Sequence, residues 1–382
     1  MKLRILAIVI IISTLSSITR PAAINACQGN VENKRSQTFY NLSSRLNLLS
    51  DKQLQELLAQ GTQHFSNWGQ TSQIEIDGIP VFVKSIPLTD LERKPENMRS
   101  TRNLFGLPQV YQYGVGSAGF GAWRELDAHI MTTNWVLSGK CPNFPLLYHW
   151  RVLPSPDPKP MNDEEFERLE HITGLWENNP EIRAQLEARH NASARIVLFM
   201  EYFPEELFRW LLNEFTKGDD AAETAVKMVF ANIEALTKCM RQHDFAHLDF
   251  HLRNMLTDGK QIYLIDFGSV SSSAFDLSDT ERAFLKLHDY DDLYRGITVL
   301  VEIIIRERVD KSITNHEENI KVLKEFANGR RDESLPPFFQ DFLTRYAPLA
   351  LIYSEFMDKL WNSKSTPYPA SELKHAYQKG SK

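Results

Sequence analysis

The spacing of apolar and polar residues predicts short strands in the first half of the chain. Residues 74–76 and 79–84 are two apolar runs joined by the turn pair Asp77 and Gly78, which indicates a β-hairpin. Further strands are predicted from apolar and β-branched clusters at residues 144–148, 150–153 and 195–203. We expect these strands to form a small antiparallel sheet.

Helical spacing governs most of the remaining chain. Leucines spaced among polar residues predict a helical region at residues 36–60 that packs on the main body, with a helix start at Ser50 and Asp51 and a stop at Gly61. Another helix is predicted over residues 122–138. In the second half of the chain nearly every stretch has helical spacing.

One strand pair interrupts that helical half. Residues 254–256 and 261–265 are joined by Asp258 and Gly259, a strong hairpin signal. A strand-rich first half with one prominent helix, followed by a helix-rich second half, predicts an α+β fold with two lobes. The first lobe would hold a small antiparallel sheet, and the second would be mainly helical.

These patterns divide the chain into four parts. Residues 155–192 begin with prolines and become Glu-rich and helical from about Asp163, so we interpret them as a charged surface insertion. The predicted parts are a signal peptide (1–26), an N-terminal helical extension (27–60), an N-terminal lobe containing the insertion (61–204) and a C-terminal lobe (205–382).

The start of the chain has the order of a secretory signal. Lys2 and Arg4 precede or flank a short apolar run at residues 5–15, and small residues follow up to Ala26. The run is too short to span a bilayer, which needs about 20 apolar residues. We expect a secreted protein cleaved near Ala26. Membrane contact is expected only if the segment stays uncleaved or Cys27 is lipidated.

Composition narrows the class of protein further. Of 382 residues, 42% are hydrophobic and 24% are charged, which is ordinary for a globular protein large enough for two lobes. The formal net charge is −6 and no long basic run occurs, so we expect no nucleic-acid partner. With three cysteines, at most one intramolecular disulfide can form.

The candidate chemistry is concentrated in the second half. The chain reads His-Leu-Asp-Phe-His-Leu-Arg-Asn at 247–254 and, after the second hairpin, Asp-Phe-Gly at 266–268. Phosphoryl transfer needs a carboxylate that accepts a hydroxyl proton and oxygen ligands for Mg²⁺. Asp249 meets the first need, and Asn254 and Asp266 meet the second.

These two motifs resemble those of the protein kinase superfamily. In that family the catalytic loop reads His-Arg-Asp with an Asn five residues after the Asp, and the metal motif reads Asp-Phe-Gly. The resemblance implies a two-lobed fold that binds ATP and Mg²⁺ between its lobes. Asp249 would be the catalytic base, Asn254 and Asp266 would be the metal ligands, and Gly268 would let the backbone turn after Asp266.

The family pattern also implies a lysine and its partner. Residues 81–84 (Val-Phe-Val-Lys) resemble the strand-lysine motif, so Lys84 would contact the nucleotide phosphates. On the predicted helix that follows, Glu125 resembles the glutamate that pairs with this lysine, and Asp127 is the competing carboxylate.

The same resemblance implies an adenine pocket and a structural brace. Met200 would lie at the back of the pocket, and Glu201 and Tyr202 would offer backbone groups to the base edge. Asp291, with Gly296 five residues later, resembles the helix aspartate that braces the catalytic loop.

Several features depart from the family pattern. The phosphate loop retains only Gly61 and Gly69, so Gly69 is the candidate nucleotide contact there. A denser glycine cluster at 114–121 follows Lys84, and we interpret it as a flexible entry to the helix. Leu248 replaces the Arg of His-Arg-Asp and an Ala-Pro-Glu motif is absent, so we expect no control by activation-loop phosphorylation.

Two narrower resemblances imply different substrates. His251 completes a His-x-Asp-x-His-x-x-Asn pattern that resembles aminoglycoside and choline kinases, which phosphorylate small molecules. The Asp-Phe-Gly motif and residues 123–148 instead resemble compact serine/threonine kinases of large DNA viruses and of bacterial effectors, including the HopBF family. That likeness covers roughly residues 84–296 and implies a protein substrate, which in the HopBF family is a host heat-shock chaperone.

The main expectation is therefore a secreted serine/threonine protein kinase that acts on a host protein inside a cell or compartment containing ATP. A small-molecule kinase is the alternative. A pseudokinase scaffold is a third reading, which the degenerate glycine loop favours.

Overall fold

Five strands form an antiparallel sheet in the computed structural model, which describes residues 22–66, 69–114, 116–155 and 160–381. The sheet order is β1-β2-β3-β5-β4. The strands are β1 (Thr62–Ser66), β2 (Gly69–Ile76), β3 (Ile79–Leu88), β4 (Leu147–Pro154) and β5 (Ala194–Glu201). The β2–β3 hairpin is confirmed: Asp77 and Gly78 have φ values of 51° and 77°, as a tight two-residue turn requires.

The helices near this sheet cover both of its faces. They are α1 (Ala22–Asn47), α2 (Asp51–Ala59) and α3 (Ala122–Leu137). Val81 and Val83 of β3 are buried with leucines of α1 and α2, whereas Ile86 and Leu88 are buried with α3. Because alternate residues of a strand point to opposite faces, Lys84 belongs to the α3 face.

The N-terminal helical region was predicted in outline. Ser50 caps α2 with a reciprocal capping box involving Gln53, as the predicted start at Ser50 and Asp51 requires. Residues 36–60 form parts of two helices, because the chain turns between Asn47 and Ser50. The apolar run behind the predicted signal peptide lies outside the described residues, and α1 continues through the predicted cleavage point near Ala26.

The strands predicted at 144–148 and 150–153 are wrong in their bounds. A single strand, β4, runs from Leu147 to Pro154 with an irregularity between Leu147 and His149. Phe144 and Leu146 precede it and are buried without belonging to a strand. Burial of apolar side chains on both sides of the irregularity explains why the sequence pattern indicated two strands.

The predicted insertion at residues 155–192 is mainly helical from Asp163, as expected, but it does not lie wholly on the surface, and its residues 156–159 are outside the described ranges. It contains α4 (Asp163–Leu175) and α5 (Pro180–His190). The apolar side chains of these helices are buried against residues that precede α3, in a separate small core that includes Leu107, Tyr111, Phe120, Leu169, Ile172, Trp176 and Ile182. The charged residues occupy the outer faces, which made the segment read as a surface insertion.

The rest of the chain is mainly helical. Its helices are α6 (Leu207–Thr216), α7 (Asp219–Gln242), α8 (Asp279–Leu287), α9 (Asp291–Ile304), α10 (His316–Ala327), α11 (Pro337–Asn362) and α12 (Ala370–Gly380). Apolar faces of α7, α9 and α11 share the largest core cluster. No helix in the described ranges combines the length and apolar character needed to cross a membrane.

Short strands position the polar motifs within this helical part. They are β6 (Glu205–Glu206), β7 (Phe245–Ala246), β8 (Met255–Thr257), β9 (Ile262–Leu264) and β10 (Ser271–Ser272). The predicted β8–β9 hairpin is present, whereas the pairings of β6 with β8 and of β7 with β10 were missed. Two-residue strands carry no detectable alternation in sequence.

A disulfide lies at the largest core cluster, to which both of its cysteines contribute. Cys141, which follows α3, is bonded to Cys239 of α7, and their Cα atoms are 6.3 Å apart. The sequence allowed at most one such bond.

Candidate active site

The ammonium group of Lys84 forms ion pairs with two carboxylates. Its Nζ lies 2.6 Å from Oε1 of Glu125 on α3 and 2.8 Å from Oδ1 of Asp266, which follows β9. The predicted Lys84–Glu125 pair is therefore present. The competing carboxylate, Asp127, instead pairs with Arg99.

Burial and charge act in opposite directions on this cluster. Burial by itself would lower the pKa of Lys84, but Asp266 and Glu125 outweigh it and hold the pKa above its ordinary value. The Lys84 charge, opposed by burial, lowers the pKa of Asp266 to about 2. At neutral pH the cluster thus holds an ammonium group and an ionised Asp266.

Asp249 and Asn254 share one short loop, as predicted. The side-chain amide of Asn254 donates to the backbone carbonyl and to Oδ2 of Asp249, both at 3.0 Å. The backbone N–H of Ile265 donates to the Asn254 carbonyl, which ties the loop to the strand leading to Asp266. Because the NH₂ of Asn254 is directed at Asp249, its Oδ1 remains the atom suited to a hard cation.

The brace of this loop is Asp292, and the prediction of Asp291 was wrong. Asp292 accepts the backbone N–H groups of His247 and Leu248 at 2.7 and 2.9 Å. Asp291 instead accepts the hydroxyl of Tyr353 at 3.1 Å. Successive residues on a helix point about 100° apart, so only one of the two can face the loop. Burial and the neighbouring Asp291 together raise the pKa of Asp292 to about 7, although the two backbone N–H groups and Arg295 act to lower it.

Arg295 was missed by the sequence analysis. Its guanidinium donates to Oδ1 of Asp249 at 3.0 Å and to the carbonyls of Leu248 and Tyr113 at 3.1 and 3.3 Å. It lies one helical turn from Asp291 and Asp292 on α9. Its partners are 46 or more positions away along the chain, so no local pattern in the sequence indicated it.

His251 lies beside the same carboxylate as a neutral imidazole. Burial lowers its pKa to about 4, although Asp249 favours the charged form. Its Nε2 is 3.5 Å from Oδ1 of Asp249, and its Nδ1 is buried without a hydrogen-bond partner in the described part of the chain. It therefore adds no positive charge at neutral pH.

The Asp-Phe-Gly turn differs from the expectation. The backbone takes its left-handed conformation at Asp266, with φ 66°, and Gly268 is not among the glycines of positive φ. Phe267 is fully buried, with its ring 4.4 Å from that of His129 and 5.8 Å from that of His247. These contacts hold Phe267 inward and turn Asp266 towards Lys84.

The glycine cluster before α3 leads into the helix, and it also lies in close contact with the two polar motifs. A Cβ on Gly114 would lie 2.2 Å from Oδ1 of Asp249, and one on Gly119 would lie 2.6 Å from the carbonyl of Gly268. The N–H of Phe120 donates to that carbonyl at 3.0 Å. Glycine is required because the backbone passes directly over both motifs with positive φ.

The structure gives the positions of Gly69, Met200 and Tyr202, which were predicted to contact the nucleotide. Gly69 begins β2 and pairs with Ser66 across the β1–β2 connection, so it borders the predicted phosphate loop, whose residues 67–68 lie outside the described ranges. Met200 is buried on the α3 face of the sheet. Tyr202 follows β5 and is half-buried.

Glu201 was expected to offer backbone groups to the adenine ring, but its backbone N–H already donates a hydrogen bond within the protein. Its N–H donates to the carbonyl of Leu146 at 2.9 Å. Its carboxylate accepts two hydrogen bonds from Arg35 of α1, at 2.9 and 2.7 Å. Arg35 also donates to the carbonyls of Pro142 and Phe144, so α1 braces the link between the sheet and the helical part.

The arrangement combines one lysine, two potential oxygen ligands and a carboxylate on a rigid loop. No protein-family model matches this chain, and no curated protein is significantly similar to it in sequence. The assignment of the site therefore depends on its own geometry.

Proposed function

We propose that this protein is an ATP-dependent protein kinase of serine/threonine type with a two-lobed kinase fold. The observation that carries the proposal is Lys84, held between Glu125 and Asp266 beside the loop of Asp249 and Asn254. Each of these residues also has a defined purpose in phosphoryl transfer. The sheet would form one lobe and the helical part the other, with ATP between them.

The donor set fits a nucleotide and Mg²⁺. Asp266 is ionised and its side chain is about half exposed (48%), and Asn254 has a side-chain oxygen that is not used in its bonds to Asp249, so both residues offer the hard oxygen ligands that Mg²⁺ prefers. Mg²⁺ would neutralise charge on the phosphates. Lys84 would hold the phosphate oxygens, and Asp249 would accept the proton of the acceptor hydroxyl.

A small-molecule acceptor is the second candidate, and Gly114 is the observation that favours it. The backbone at Gly114 lies against Asp249, whose side chain is only 20% exposed. This narrows the approach to the base. A protein substrate would have to present its hydroxyl on an extended, unobstructed segment.

The disulfide supports a secreted protein. Such bonds persist in oxidising compartments and are rare in reducing ones. Together with the predicted signal peptide, the Cys141–Cys239 bond favours secretion followed by action on a host protein, with a chaperone as one candidate.

The test is transfer of labelled phosphate from MgATP by the purified protein. Asp249→Asn should abolish transfer, whereas Asp279→Asn, at a fully exposed position on α8, should not. Protein acceptors are expected to be labelled, and labelling confined to aminoglycosides or amino alcohols would establish the second candidate. No transfer, with no Mg²⁺-dependent ATP binding by calorimetry, would refute both.

A further inference from the structure

A cavity in the helical part is lined by none of the residues assigned to ATP and Mg²⁺. It has a volume of about 800 Å³ and is formed by the end of α7, β7, α8 and the residues that follow β10 and α8. We call it the basic cavity. Its size falls in the range of small-molecule sites, roughly 300–1,000 Å³.

Cationic side chains outnumber anionic ones in the basic cavity. Four cations and two carboxylates line it, which leaves two positive charges in excess. These six residues are Lys238, Arg241, Arg282, Lys286, Asp244 and Asp289. A doubly charged anion would neutralise this excess.

Few carboxylates in the described part of the protein form ion pairs with the four cationic side chains of the basic cavity. Lys238 and Lys286 form no ion pair within the described ranges, and Arg282 has only Asp279, 3.7 Å away and fully exposed. The guanidinium of Arg241 lies 4.2 Å from the ring centre of Tyr290, and its Nη1 is buried without a hydrogen-bond partner in the described chain. Because Nη1 is closed to solvent, only the other nitrogens of this guanidinium can face a ligand in the cavity.

The two carboxylates of the basic cavity, Asp244 and Asp289, interact with other groups of the protein. Asp244 accepts the Ser273 hydroxyl at 3.3 Å. Burial raises the pKa of Asp289, which Asp244 also raises and Arg241 lowers. A phosphate carried by Ser273 itself would be placed against Asp244, so the charges favour a separate ligand.

We propose that the basic cavity binds the phosphate monoester group of a small organic molecule. The oxygens of the ester would accept from Arg241 and from the two lysines, because phosphate provides several strong acceptors and close to two negative charges. Tyr290, Phe245 and Leu285 provide apolar surface for the organic part. This inference does not depend on the proposed kinase activity.

The test is binding of phenyl phosphate to the full protein at low salt, followed by calorimetry and by the thermal unfolding midpoint. Lys238→Gln/Lys286→Gln should weaken binding by about tenfold, since each exposed charge contributes up to about 1 kcal/mol. The control Lys260→Gln/Lys311→Gln loses the same charge at exposed positions outside the cavity and should bind as the original protein does.

Three results would overturn the proposal. They are no binding, equal weakening in both double variants, or equally strong binding of benzoate, which would mean a site for any anion. Lys84→Met should leave the affinity unchanged; a loss in this variant would place the phenyl phosphate in the ATP site instead.

Discussion

The guanidinium of Arg295 lies 3.0 Å from Oδ1 of Asp249, and the two residues come from different elements of the helical part. Arg295 is also bonded to the backbone carbonyls on either side of the site, at Leu248 and Tyr113. It thus sets both the rotamer of the proposed base and the position of the glycine segment next to it.

Arg295→Met should lower kcat by about tenfold to a hundredfold, because a hydrogen bond to a charged group contributes about 1.5–3 kcal/mol. Arg295→Lys should restore part of the loss, since it returns a cation near Asp249. Steady-state kinetics with MgATP measures the effect. The control Arg209→Met changes an exposed arginine of α6 and should have normal kcat; equal kcat in both Met variants would exclude a positioning role.

Gly114→Ala should reduce kcat by about a hundredfold, because a Cβ there collides with Oδ1 of Asp249 and small displacements of a catalytic group are costly. Gly139→Ala is a matched control. Gly139 has a similar φ of 69° against 75°, but a Cβ on it meets no atom within 4 Å. If both variants lose the same activity, backbone strain alone is responsible and the contact with Asp249 is unimportant.

Arg35→Ala should raise the KM for ATP by about tenfold with little change in kcat. Its two bonds to Glu201 and two to nearby carbonyls hold the link that follows β5, and charged hydrogen bonds contribute about 1.5–3 kcal/mol. Initial rates at varied ATP separate the two parameters. Arg45→Ala removes an exposed arginine of the same helix and should leave the KM for ATP at its original value.

Asp292→Ala should accelerate hydrogen exchange at the amides of His247 and Leu248, because it removes the acceptor of both. Asp291→Ala should leave these two amides protected, since Asp291 is bonded to Tyr353. Exchange measured by NMR or by mass spectrometry of short peptides distinguishes the variants. Faster exchange in the Asp291 variant alone would contradict the assignment of the brace.

Acid should destabilise the protein partly through His129. Burial, assisted by the Lys84 charge, lowers the pKa of this side chain to about 3, from an ordinary value of about 6.5. Between these values the unfolded chain binds a proton that the folded chain does not, so stability falls as pH decreases from 6.5 towards 3.

His129→Phe should therefore flatten the dependence of the unfolding midpoint on pH, and it also removes two buried nitrogens that lack partners in the described chain. Denaturant titrations from pH 7 to pH 4 provide the comparison. His375→Phe, at an exposed position of α12, should keep the original slope. An unchanged slope in the His129 variant would mean that this residue binds a proton equally well in the folded and unfolded states.

Local features were predictable from the sequence because they depend on neighbouring residues. The Asp77–Gly78 turn, the Ser50 cap and the start of α3 follow from backbone preferences and apolar spacing. The Lys84–Glu125 pair was predicted from the resemblance of residues 81–84 and of the following helix to protein kinase motifs, and the two side chains are in contact.

Contacts between distant segments were not predictable in this way. Arg35 and Glu201 are 166 positions apart, and Arg295 and Asp249 are 46 apart, with no local pattern that relates them. The choice of Asp292 over Asp291 depends on the rotation of α9, which is decided by packing. The sequence by itself thus determined most of the longer elements and most of the candidate residues. The tertiary structure decided which side chains meet, because helix rotation and segment docking depend on the burial of whole faces rather than on local preference.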